Sequence, residues 1–214
     1  MMKAIKFDKE KLKAVILHTC ANCEPVQLGV VKLHKVLYFV DMLHYAAFGT
    51  SITGSTYRKR PFGPTNDHLL LALRELEADG KIRISSVDYF GYRKTEYIYC
   101  SGGNEIEFTN CERALLDDII DFVCFNNTEK TISELSHMKP WEMVDFGDEI
   151  PYHSALNLIP AQVSQEAIQA ASMEIAAIEI QRSSQNTVDF KVFSDFRNRV
   201  LSGRAQISEN NGRT

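Results

Sequence analysis

The sequence predicts a mainly α (α+β) fold: a helical bundle around a central apolar helix, with one β-hairpin and a C-terminal helical extension. Three patterns carry that prediction. From Val30 to Phe48 nearly every turn is apolar on more than one side, through Val30, Leu33, Val36, Leu37, Phe39, Val40, Leu43 and Ala47. A helix apolar around most of its circumference belongs in the middle of a bundle. Residues 81 to 88 and 93 to 99 alternate apolar and polar around a YFGY turn, which is the pattern of a hairpin over about 81–99. After Pro160 the texture shifts to AQVSQEAIQAASMEIAAIEIQR, a strong helix former. The implied organisation is a main body, 1–158, and an extension, 159–214, whose end frays.

Local signals place the remaining elements. Asp8 is a plausible N-cap, with Leu12, Val15, Ile16, Thr19, Cys20 and Cys23 at helical spacing behind it, so residues 9 to 22 form an amphipathic helix. Gly49 stops the central helix, and GTSITGSTYRKRPFGP reads as a link with a short extended piece near Tyr57. Thr65 or Asn66 can cap the next helix, whose core stripe is Leu69, Leu70, Leu73 and Leu76 up to Gly80. Thr109 and Glu112 are spaced as a capping box ahead of Ala114, Leu115, Ile119, Phe122 and Val123. A second box, Thr131 with Glu134, opens a short helix ending near His137. Pro140 starts another turn with Trp141 and Val144.

Composition narrows the function. The 214 residues carry a net charge of -4, which argues against a protein whose main partner is a phosphate backbone. The N-terminus MMKAIKFDKEKLK places charges where a signal peptide needs apolar residues, and no apolar run approaches the ~20 residues of a membrane span. A cytoplasmic protein with no membrane partner is expected. Its five cysteines, an odd count, predict no structural disulfide.

Candidate chemistry is thin. Cys20 and Cys23 form a CxxC beside His18, yet they sit at the C-terminal end of a helix and lack a second ligand pair, so core packing outweighs zinc or redox chemistry. His34, His44, Lys32 and Asp41 share the central helix. Without a nucleophile paired to a base, they read as an internal hydrogen-bonded network, and no catalytic, metal or cofactor residue is assigned. RKRPFGPT lacks a phosphate-loop order and reads as a Pro-set turn carrying a solvated basic strip. A helix followed by a hairpin over 65–99 is also the plan of a winged helix, with Arg58, Lys59, Arg60, Arg93 and Lys94 as its charge. The would-be recognition helix holds one Arg against Asp67, Glu75, Glu77 and Asp79, so a DNA-binding regulator stands as the alternative.

The stretch KLHKVLYFVDMLHYAAFGTSITGSTYRKRPFGPT, followed by an LxxLxxxGKI segment, resembles the diagnostic half of the Panacea domain, the SocA-type antitoxin family. Lys32, Leu33, Lys35, Leu37, Tyr38, Phe39, Asp41, Gly49, Tyr57, Gly63 and Pro64 stand in that stretch. A later segment, ISELSHMKPWEMVDFGDEIPY, is similar to the family's second motif through Ser136, His137, Pro140 and Trp141. Val36 stands where Leu is usual. The resemblance spans roughly 8–158. It implies a largely helical, non-catalytic protein, often encoded on a prophage beside a toxin gene, that neutralises a cognate toxin by direct contact. A relative that hands its toxin to a protease makes a cellular protease a second implied partner. The motif residues Lys32, Leu33, Lys35, Tyr38, Asp41, Gly63, Pro64, His137, Pro140 and Trp141 are expected to be mainly structural. Partner contacts are expected at Tyr57, Arg58, Arg60 and Phe62 in the link, and at Ile175, Ile178, Phe193 and Phe196 beyond it. The stripe of Ile168, Ala171, Ile175 and Ile178 fits packing onto the body equally well.

Overall fold

The computed structural model describes residues 5–89, 91–101, 107–158 and Arg197. Helix α1 (Lys9–Ala21) is capped by the Asp8 side chain, which accepts the Lys11 N–H at 2.9 Å. It is more deeply enclosed than an amphipathic stripe requires, because every residue from Ala14 to Cys20 is buried. Helix α2 (Val30–Phe48) is the axis of the molecule, and Gly49 at φ 69° ends it in the left-handed conformation. The central position predicted from its all-round apolarity is observed: α2 packs on α1 and on most of the later elements, with Leu33, Leu37, Tyr38 and Phe39 fully enclosed.

Strands β1 (Tyr57–Arg58) and β2 (Thr65–Asn66) pair antiparallel within the link, Tyr57 opposite Asn66. Thr65 and Asn66 therefore do not cap a helix directly. The Gly63–Pro64 turn folds them back onto β1, and α3 (Leu69–Ala78) starts three residues later, after Asn66 Oδ1 has accepted the His68 N–H at 2.8 Å. That offset also turns Leu70 outward, so the buried stripe is Leu69, Ala72, Leu73 and Leu76.

Strands β3 (Ile82–Tyr89) and β4 (Tyr92–Tyr99) form the hairpin. The Thr109–Glu112 capping box is present in both directions and opens α4 (Asn110–Ile120). Its inner face is Leu115, Leu116, Ile119 and Ile120, with Ala114 left outside. A wide π-type turn, Asp121–Phe125, then rotates Phe122, Val123 and Cys124 inward together. The second box lies one turn earlier than expected. Thr128 caps α5 (Glu129–Leu135), with Thr131 returning the bond to the Thr128 N–H at 2.9 Å, so a threonine does at the third position what a glutamate usually does. Helix α6 (Lys139–Glu142) carries Pro140 in its first turn, and a 3-10 turn (Tyr152–Asn157) comes after it.

One apolar cluster runs from Leu12 to Leu158. Cys20, Cys23 and Cys124 belong to it, and the five cysteines are free thiols. Among the described residues no helix is long and apolar enough to cross a membrane. Ile168, Ala171, Ile175, Ile178, Phe193 and Phe196 lie outside the described residues. Arg197 sits with Nη2 3.5 Å from Asp121 Oδ2.

Two substitutions test this arrangement. Phe39→Ala empties a fully enclosed site and is expected to cost about 3–5 kcal/mol. Thr109→Ala removes only one direction of the box and is expected to cost about 1 kcal/mol. Urea unfolding midpoints read both, and equal losses would contradict the placement of α2 at the centre.

Candidate partner surface

The link from Ile52 to Pro64 is gripped from inside by α2. Asp41 has no exposed surface, and its carboxylate is the first anchor. Oδ1 accepts the backbone N–H groups of Ile52 at 3.0 Å and Thr53 at 2.7 Å. Oδ2 accepts the Thr53 hydroxyl at 2.5 Å and faces the hydroxyls of Tyr57 at 2.7 Å and Tyr152 at 3.1 Å. The Tyr57 hydroxyl also reaches the Leu37 carbonyl, and that of Tyr152 the Ser55 carbonyl. Burial pushes the Asp41 carboxyl above its ordinary range, and the hydrogen bonds to it act in the opposite direction.

Lys35 is the second anchor. Its ammonium is enclosed and donates to the Pro64 carbonyl at 3.0 Å. Gly63 stands against it at φ 89°, where an added Cβ would lie 2.7 Å from Lys35 Nζ and 2.2 Å from Ser136 Oγ. Only glycine fits there, on both conformational and steric grounds.

The second sequence motif grips the same link from outside. Ser133 Oγ donates to the Phe62 carbonyl at 3.1 Å, and Trp141 Nε1 donates to the Arg60 carbonyl at 3.2 Å. Lys59 Nζ donates to the Val144 carbonyl at 2.8 Å and lies 4.2 Å above the Trp141 ring. Backbone bonds from Lys59 to Asp148, from Gly147 to Lys59 and from Ile150 to Tyr57 complete the seam. The two motifs are thus halves of one clamp.

The family model for the SocA-like antitoxin Panacea domain matches residues 33–142, just over half of the chain. The chain belongs to this Panacea family. No curated protein and no solved structure matches it. The matched span holds both α2 anchors, Ser133 and Trp141, and ends in α6, ahead of the clamp contacts at Val144, Gly147, Asp148, Ile150 and Tyr152.

Within this Panacea domain the charged and imidazole side chains of α2 are hydrogen-bonded, but to separate partners. Lys32 donates to the Cys124 carbonyl at 2.7 Å, His34 Nδ1 accepts the Asn66 N–H at 3.1 Å, and His44 Nδ1 lies 2.5 Å from the Thr50 carbonyl. Burial, then the Lys35 charge, pulls His34 down to about 4, which keeps its Nδ1 lone pair available. Tyr38 is fully enclosed, and its hydroxyl has no hydrogen-bond partner among the described residues. His137 stacks on Trp141 at 4.1 Å, and burial together with the nearby Lys35 holds its imidazole below the ordinary value.

The link residues divide in a way the sequence did not separate. Tyr57 is wholly buried, so it holds the link and presents nothing to a partner. Arg58 is half-buried, pairs with Asp67 at 2.7 Å and donates to the Gly147 carbonyl. Lys59 is enclosed beneath Trp141 and Phe146, which corrects the reading of RKR as a solvated strip. Arg60 and Phe62 do face outward, Phe62 being 71% exposed. Three further exposed apolar residues, on the segments after Trp141, were not marked by the sequence. Met143 is 63%, Phe146 65% and Leu156 61% exposed. Trp141 meets Phe146 edge-on at 5.7 Å, which ties Phe146 to the clamp, and Asn157 reaches the Met143 sulfur at 3.9 Å. In α3, by contrast, Arg74 is the only cation, and Lys9 and Lys13 are spent on Glu75.

Lys35 makes a pH prediction. The unfolded chain keeps this proton to about pH 10.4. Burial brings the folded group down to about 7, so between those values the folded chain binds fewer protons. Stability carried by this group is therefore lowest below pH 7 and rises toward pH 10. Relative to Lys35→Met, the wild-type unfolding midpoint is expected to climb between pH 7 and pH 10; parallel profiles would show that burial does not pull the amine's pKa down.

Proposed function

We propose that this chain is an antitoxin that neutralises a cognate toxin by direct protein–protein binding. The observation that carries the reading is the clamp. Buried bonds to Asp41 and from Lys35, with an outer bond from Trp141, hold a link that presents Phe62, and Met143, Phe146 and Leu156 are exposed on the segments that follow Trp141. Large apolar side chains on a rigid frame are what a protein partner uses, because little ordering entropy remains to be lost on binding. Membership of an antitoxin-like family supports the same reading.

A non-catalytic role accords with the polar groups. Asp41, the carboxylate that most resembles a catalytic group, has no exposure and is fully engaged. Residues beyond 158, including Ile175, Ile178, Phe193 and Phe196, extend the contact in this reading, with the cytoplasm as its setting. DNA binding through α3 gains nothing from a helix with one arginine.

The test is growth. Inducing the neighbouring open reading frame is expected to arrest cells, and co-expression of this chain to restore them. Phe62→Asp is expected to abolish rescue without moving the unfolding midpoint, since the ring is already in solvent. Immunoblotting the toxin separates two routes: a constant level means sequestration, and a falling level means delivery to a protease. Absence of rescue by the wild type would end the antitoxin reading.

A further inference from the structure

The exposed apolar face carries a charge pattern of its own. Glu142, Asp145, Asp148 and Glu149 are all exposed and alternate along the chain with Met143 and Phe146. Glu142 is paired with Lys139 at 3.1 Å. Among the described residues no cation lies within ion-pair distance of Asp145, Asp148 or Glu149. Across the seam, Arg58 bridges Glu149 through its backbone while its guanidinium is paired with Asp67, and Lys59 is enclosed against Phe146; Arg60 is the cation that faces outward. The balance beside the apolar side chains is therefore acidic.

We infer that this face receives a basic, apolar segment of a partner protein, whose apolar side chains cover Met143 and Phe146 while its lysines or arginines meet Asp145, Asp148 and Glu149. This rests on the antitoxin reading for the identity of the partner, and on the charge pattern for its chemistry. Unpaired carboxylates around an apolar centre steer a cationic partner into place and repel an anionic one.

The same pattern disfavours the other occupants. A second copy of this chain joined through this face would set one acidic rim against another. Of the chain's own apolar segments, residues 161–182 hold three glutamates against one arginine, so their charge has the wrong sign. The stretch 190–204 is basic, but its Arg197 is paired with Asp121 on the π-type turn.

Trp141 is the single tryptophan of the chain and lies under this face, so its emission reports occupancy directly. The probe is a tryptophan-free helical peptide of Leu, Phe and Lys, with a matched peptide in which Glu replaces Lys, added to the full-length protein. The Lys peptide is expected to shift Trp141 emission and shield it from iodide, and to lose its affinity as salt rises. The Glu peptide is expected to do neither. Phe146→Asp is expected to weaken the Lys peptide by at least about tenfold, as for a central apolar contact. Asp145→Lys with Asp148→Lys and Glu149→Lys, three exposed positions that leave the core untouched, is expected to reverse the peptide preference.

Equal binding of the two peptides, binding of neither, or an unchanged preference in the charge-reversed variant would overturn the inference. So would iodide protection of Trp141 before any peptide is added, or an emission shift with protein concentration alone. Growth rescue keeps the two readings apart. Rescue that survives charge reversal sinks the basic partner and leaves the antitoxin standing; Lys-peptide binding without rescue does the opposite.

Discussion

The arrangement of the molecule depends on one buried carboxylate. Asp41 lies on the central helix without solvent, and two backbone N–H groups and the Thr53 hydroxyl are turned toward it. A polar group in such a place is tolerated only when its bonding capacity is used. That demand fixes residues 52–57 against α2. Six residues earlier on the same helix, about 9 Å along its axis, Lys35 holds the Pro64 carbonyl by the same logic. With both ends of the link pinned, the intervening residues have to bulge outward. Arg60 and Phe62 are at the surface for that reason.

The outer half of the clamp turns that bulge into a fixed shape. Trp141, Ser133 and Lys59 each reach a carbonyl across the seam, and the Lys59 ammonium rests on two aromatic faces. A cation beneath the rings accomplishes two things. It stiffens the frame, and it keeps the ammonium itself out of solvent.

Most of the body was legible from periodicity. An all-round apolar helix has few places to go, and alternation around a glycine turn reads only one way, so α2 and the hairpin were found without contacts. The errors came where a residue had two local uses. Thr131 suits the first position of a capping box or the third, and the sequence offers a plausible partner for each. Asn66 suits a cap or a strand, and the choice was made by Tyr57 across the seam. The site was half legible. Family motifs marked Lys35, Gly63 and Trp141, but side chains that lie on a surface leave no periodic signal. Met143 and Phe146 read like any pair of core residues, and Tyr57 and Phe62, five positions apart in the same link, differ only in which way the turn points them.

The bonds of the clamp also explain how such a surface can be specific without endangering the fold. The seam donors Trp141, Ser133, Lys35, Lys59 and Arg58 each end on a backbone carbonyl: Arg60, Phe62, Pro64, Val144 and Gly147 are held by their oxygens. The exposed side chains of Phe62, Asp145 and Glu149 hold none of these joints, and Phe146 adds only a ring face beneath Lys59. Replacing them changes what the surface attracts while every anchoring bond keeps its acceptor, because a carbonyl is present whatever the side chain. A frame fastened by backbone and faced with free side chains separates stability from recognition. The buried polar residues of α2 belong to the first task, and for that reason they are closed to solvent.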